Sequence, residues 1–240
     1  MDAAVILALV TALASLAVAL ANTVVTHRLR LAEAATEREA EAEAVLERYR
    51  GPLLAAVFDL QDRLDNLINP ERDFLAAYGG RRNPMRDEAI RTTLYRVGQY
   101  FCWVEVMRRD RQSLQFREPQ HTRAVADLVG EVGRMFADDR YGRDFMLWRE
   151  EQRAIGERMI ERHGEGTGCV GYATFAENYE MTYSRWFGRF QGKLDRNAAM
   201  SSTRLRDLRA TLRSLVKALD PDELRYRRDW EPNLAGRADG

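Results

Sequence analysis

From Ala3 to Thr26 the chain runs 24 residues without one ionisable side chain, and the run stops at His27, Arg28 and Arg30. As α-helix such a stretch is about 36 Å long, enough to cross a hydrocarbon core of about 30 Å. It predicts a transmembrane anchor over residues 1–28. A cleaved secretory signal is the competing reading, because Ala19-Leu20-Ala21 has the small-x-small form of a cleavage site. Against it, Met1-Asp2-Ala3 carries an acid where a signal peptide carries Lys or Arg, and the run exceeds the usual apolar region of about 7 to 15 residues. Asp2 precedes the span while Arg28, Arg30 and Arg38 follow it, which orients the amino terminus outward and residues 30–240 toward the cytoplasm.

The next segment, residues 29–50, is rich in Ala, Glu and Arg and has no Gly or Pro before Gly51-Pro52. It predicts a helical stalk continuing the span and ending at Gly51-Pro52. Its least polar stripe, Leu31, Ala35, Arg38, Ala42, Val45 and Tyr49, has coiled-coil spacing, although an exposed helix laid on its own domain fits equally.

Residues 51–220 then predict an all-α cytoplasmic domain, an irregular bundle of about six to seven helices. Apolar residues recur at three and four positions along Leu53–Ile68, Ile90–Met107, Val125–Phe136, Phe145–Ile160, Phe175–Phe190 and Leu205–Leu219. A short helix is predicted for Glu71–Tyr78, and single helices for about Thr174–Lys193 and Ala198–Leu219. Residues 221–240 read as a short helix and tail. No alternating β-branched run with hairpin chemistry is evident, and no repeat of solenoid period.

Chemistry is sparse among these elements. The three histidines, His27, His121 and His163, share no ligand spacing. Glu118-Pro119-Gln120-His121 matches E-x-x-H by letters but has no second copy, so no metal site and no cofactor are expected. Cys102 and Cys169 follow no CxxC spacing and read as reduced thiols in a cytoplasmic domain. A Cys169–His163 nucleophile pair lacks any orienting motif.

Four glycines, Gly164, Gly166, Gly168 and Gly171, give residues 164–171 the freedom to turn N–H groups toward an anion; a flexible helix connection explains them equally. Neither a P-loop nor a dinucleotide fingerprint is present. The aromatics Tyr172, Phe175, Tyr179, Tyr183, Trp186, Phe187 and Phe190 fall at helical spacing and read as packed core.

Lysines and arginines equal acids at 37 each, so no bulk attraction to nucleic acid is implied. The basic side chains are 35 Arg and two Lys, a bias that a GC-rich genome would produce. Arg206, Arg209, Arg213 and Lys217 share one face of the last long helix; it is either a surface for anionic headgroups or a partner, or an ordinary solvated face. Within the span, Ala8, Ala12, Ser15 and Ala19 form a small-residue stripe of the type that lets transmembrane helices associate, though so much alanine would produce it by composition alone.

The function expected from these features is a membrane-anchored helical interaction or scaffold module without a catalytic site. Its partners would be the lipid bilayer, an unidentified cytoplasmic protein and further copies of itself. Two alternatives use other features: a ligand sensor or enzyme binding an anionic group near residues 164–171, and a membrane-active effector that oligomerises through its span.

Overall fold

The computed structural model describes residues 3–72, 74–80, 83–113, 120–163 and 166–223, with the side chains of 3–21, 33, 35–46, 111–113, 120–122 and 163 outside the description. The chain is mostly helical, a bundle with one small hairpin. Its elements are α1 (Ala3–Ile68), α2 (Pro84–Ser113), α3 (Gln120–Ala137), a 3-10 turn at Asp139–Tyr141, and α4 (Arg149–Met159). Strands β1 (Ile160–His163) and β2 (Gly166–Cys169) follow, then α5 (Tyr172–Glu177), a π-helical turn (Tyr179–Tyr183), α6 (Ser184–Asp195) and α7 (Thr203–Leu219).

Helix α2 packs on α1 and α4, α7 packs on α1 and α3, and α3 meets α4, so α1, α2, α4, α3 and α7 form a closed ring of neighbours. The apolar stripes fill its interior: Leu60, Leu64, Val97, Phe101, Ile155, Leu208 and Leu212 are all buried. Because α2 lies between two helices, it buries residues on both flanks, including Thr93, Tyr100, Cys102 and Glu105. Its approach to α4 is close enough to require glycine: a Cβ at Gly156 would stand 2.5 Å from the Phe101 carbonyl oxygen.

Several boundaries differ from the sequence reading. The helix end expected at Gly51-Pro52 is absent, and α1 continues through Pro52. A proline inside a helix costs roughly 3 kcal/mol, and packing on both sides of it offsets that cost. Before it, Tyr49 is buried with its hydroxyl donating to Asp110 at 2.6 Å, and Arg50 Nε donates to the Leu219 carbonyl; after it, Leu53 and Leu54 are fully buried. The short helix expected over Glu71–Tyr78 is a run of turns, opened by Asn69, whose side chain accepts from the Glu71 N–H at 2.9 Å. The expected helix over Thr174–Lys193 is divided by the π-helical turn, which brings Tyr179 and Tyr183 to Phe175 at centroid distances of 5.7 and 4.6 Å. Helix α7 starts at Thr203 because Ser202 caps it, accepting from Leu205 N–H at 3.2 Å. The hairpin was not foreseen: Ile160 pairs with Cys169 and His163 with Gly166, where a helix end and loop were expected.

Among the described residues no helix is long and apolar enough to cross a membrane. The run expected to do so has most of its side chains, Ala3 to Ala21, outside the description, as are residues 224–240 of the expected C-terminal helix and tail.

Two buried charged groups are held by several hydrogen bonds each, Arg204 joining α7 to the end of α3 and Glu105 within α2. Arg204, 1 % exposed, donates to five carbonyls: Nε to Asp144 at 3.0 Å, Nη1 to Met135 and to Phe136 at 2.9 Å, and Nη2 to Asp138 at 2.8 Å and Gly142 at 2.7 Å. It thereby satisfies the end of α3, whose last carbonyls lack partners within the helix. Glu105, 2 % exposed, accepts from Arg108 Nε and Nη2 at 2.6 Å each and from Arg109 Nε at 2.7 Å.

Arg204→Ala removes a donor from five carbonyls, of which Phe136 keeps the Leu147 N–H, and is expected to cost about 3 kcal/mol or more, with Arg204→Lys intermediate because an ammonium has three donors. Urea unfolding followed by circular dichroism checks the order. Burial pushes the Glu105 carboxyl up, but its bonds to Arg108 and Arg109 outweigh this and hold it below the ordinary carboxylate value. A depressed folded-state pKa adds stability that is full above the unfolded carboxylate's value and is lost as pH falls through the folded one. Glu105→Gln is therefore expected to lower stability at pH 7 and to flatten its decline between about pH 5 and pH 3.

Candidate functional site

The hairpin is tied to α2 by side chains whose partners lie far apart in sequence. Tyr95 on α2 donates its hydroxyl to the Val170 carbonyl at 3.0 Å and stacks edge-on against Tyr172 at 5.2 Å. The Tyr172 hydroxyl in turn donates to Glu88, one helical stretch earlier on α2. Beneath the strands the Cys102 thiol donates to the Met159 carbonyl at 3.3 Å and lies 3.8 Å from the Gly168 carbonyl oxygen. The structure thus joins Cys102 and Cys169, two free cysteines separated by most of α2, α3 and α4. A hydrogen bond with Cys102, then burial, pushes the Cys169 thiol up, which keeps it protonated and poorly nucleophilic. The His163 side chain and Glu118, and with them the expected Cys–His and E-x-x-H pairs, lie outside the described residues.

Two of the glycines expected to cradle an anion lie in the hairpin. Gly166 and Gly168 are in β2, opposite His163 and Glu161, and Gly171 precedes the first turn of α5. None of these three has the positive φ with which successive N–H groups form a concave anion nest; Gly164 lies outside the described residues.

The basic face of α7 is divided. Arg206 and Lys217 are exposed, whereas Arg209 and Arg213 are half-buried and turn to Asp65 of α1, with N···O distances of 2.9 and 3.3 Å. Half of the proposed contact surface therefore joins α7 to α1. Ala8, Ala12, Ser15 and Ala19 lie on the α1 backbone, with side chains outside the description. The aromatic series packs: Phe175, Tyr179, Tyr183, Phe187 and Phe190 are buried, and the Tyr179 and Tyr183 hydroxyls donate to Gln191 at 2.6 Å and the Arg158 carbonyl at 3.1 Å. Among the described residues no three His, Cys, Asp or Glu side chains converge as a metal site would need.

A cleft that the sequence reading missed opens where the end of α1 meets the start of α2. It has a volume of about 550 Å³ and is lined by Arg63, Phe74, Tyr78, Pro84, Met85, Glu88, Ala89 and Thr92. Arg63 projects from the apolar stripe of α1 between Leu60 and Leu64, and its guanidinium lies 4.5 Å from the Phe74 ring centroid. An arginine inside a leucine stripe was the available signal. In a chain with 35 arginines it does not stand out.

Comparison with models of known protein families, with curated proteins and with solved structures returned no match.

The thiol geometry carries a chemical expectation. Alkylation of Cys102 and Cys169 by iodoacetamide at pH 8 is expected to be at least about tenfold slower in the folded protein than in urea. Mass spectrometry of the labelled peptides over time measures both rates.

Proposed function

We propose that this chain is a membrane-tethered helical interaction module. Residues 1–28 form the anchor, 29–50 the stalk, and the 51–220 bundle is presented to a protein partner on the cytoplasmic side. The observation that supports this reading is the continuity of α1 from Ala3 to Ile68. The helix that begins in the apolar run is the same helix that places Leu53, Leu60 and Leu64 in the bundle core. Placing the bundle against a bilayer is then a matter of one secondary-structure element.

The bundle also offers a contact point of the type found at protein interfaces. Trp148 is 53 % exposed at the start of α4, and Arg189 of α6 lies 5.4 Å from its ring while bonding to Glu151 at 2.6 Å. Exposed Trp and Arg held in a fixed arrangement are over-represented among residues that dominate binding energy.

Tagged full-length protein is expected to stay in the membrane pellet after alkaline carbonate washing, and residues 29–240 to move to the supernatant with a helical circular dichroism spectrum. A carboxy-terminal tag is expected to be cut by external protease only after the cells are broken. Release of the full-length chain by carbonate would refute the tether.

A further inference from the structure

Among the described residues three arginines are almost wholly buried, and two of them are bonded to backbone carbonyls through three or more short hydrogen bonds. Arg204 meets five carbonyls, and Arg86, 5 % exposed, donates to the carbonyls of Leu75 at 2.8 Å, Leu194 at 3.2 Å and Asp195 at 3.0 Å. Arg63, 8 % exposed, is different. Its Nη1 makes both of its hydrogen bonds among the described residues, long ones to the Ala89 carbonyl at 3.4 Å and Thr93 Oγ1 at 3.3 Å. Thr93 Oγ1 already donates to the Ala89 carbonyl at 2.7 Å. Nε of Arg63 is buried and has no acceptor. The acid beside it in sequence, Asp62, bonds to Arg96 at 3.3 Å. Burial, then repulsion from Arg96, pulls the Arg63 pKa down to about 10, so the group is still charged at neutral pH.

Asp62 and Asp59 attract the Arg63 charge only from a distance, and a desolvated guanidinium with no carboxylate bonded to it is an expensive arrangement. It occurs at the one of the three arginines that lines a cleft. Nε and Nη2 are both left without acceptors among the described residues, and because Nε is closed off from solvent, Nη2 is the nitrogen that a carboxylate in the cleft would meet. The surroundings select the rest of the ligand. Phe74 and Tyr78 meet edge-on at 5.2 Å and, with Pro84, Met85 and Ala89, provide apolar walls. Glu88, exposed at the cleft, repels a second negative charge. A volume of about 550 Å³ is in the range of small-molecule sites.

We propose that this cleft binds a small organic monocarboxylate, its carboxylate on Arg63 and its apolar or aromatic body against Phe74 and Tyr78. The site holds whether or not the chain is tethered to a membrane, and none of the hairpin's glycines lines it.

The test uses full-length protein in non-ionic detergent, with phenylacetate and hexanoate as aromatic and aliphatic probes and with phenylacetamide and phthalate as neutral and dianionic controls. Isothermal titration is expected to give saturable binding of at least one monocarboxylate with a Kd of about 0.1 mM, and at least tenfold weaker binding of the controls. Arg63→Gln is expected to abolish the difference between phenylacetate and phenylacetamide. Thr92→Phe, which keeps the guanidinium and fills the cleft, is expected to weaken the monocarboxylate at least tenfold, and it preserves the test if Arg63→Gln does not fold. Equal binding of acid and amide, undiminished binding in folded Arg63→Gln, or no saturable binding of either monocarboxylate up to about 10 mM overturns the proposal.

Discussion

The guanidinium of Arg204 closes the ring of helices. It projects from the first turn of α7 into the end of α3 and the loop that follows, and its five donors meet five carbonyls. The Phe136 carbonyl also accepts from the Leu147 N–H at 2.9 Å, so the chain between Asp138 and Leu147 curls around the side chain and is closed at its far end by a backbone bond. It does so with positive φ at two positions, at Gly142 with φ 75°, which glycine adopts freely, and at the buried, non-glycine Phe145 with φ 56°, which is strained. Phe145 is held by its ring, which meets Phe190 edge-on at 5.0 Å. Without this centre α3 and α7 would meet mainly through apolar side chains, which set proximity but not register, and through the weak bond of the Thr211 hydroxyl to the Met135 sulfur.

Arg86 does related work on the other side of the bundle. It links the turn after α1 to the end of α6 through carbonyls of Leu75, Leu194 and Asp195. Both cases place a cation at a helix C-terminus, where the macrodipole and the orphan carbonyls favour it. Arginine suits the task because its donors form a fixed planar fork, and its charge persists on burial. The composition that looked like genomic bias therefore includes side chains that organise backbone.

What was readable in the sequence was what depends on neighbours three and four residues away. The stripes from Ile90 to Met107 and from Leu205 to Leu219 located α2 and α7 because helical burial is periodic, and Pro84 marked the start of α2. Features that depend on distant partners were hidden. Pro52 looked like a break because its packing against Asp110 and Leu219 through Tyr49 and Arg50 lies outside any local window. The hairpin was masked by Gly166 and Gly168, residues depleted from strands, whose pairing is backbone only. Arg209 and Arg213 read as part of a free basic face, whether solvated or for a partner or headgroups, because nothing local shows that Asp65 stands opposite them. The same holds for the cleft: one arginine in a leucine stripe becomes unusual only when its neighbours turn out not to pair with it.

The unbroken course of α1 has a mechanical consequence. From Tyr49, where the helix enters the core, to Ala3 is about 70 Å at 1.5 Å per residue. A rod of that length is a lever: a tilt of about 3° about its seat displaces the far end by about 4 Å. Read in reverse, a displacement of about 4 Å at the far end is geared down to about 1 Å among Leu60, Arg63 and Leu64. The wall of the cleft and the outermost turn of the chain are two ends of one lever arm.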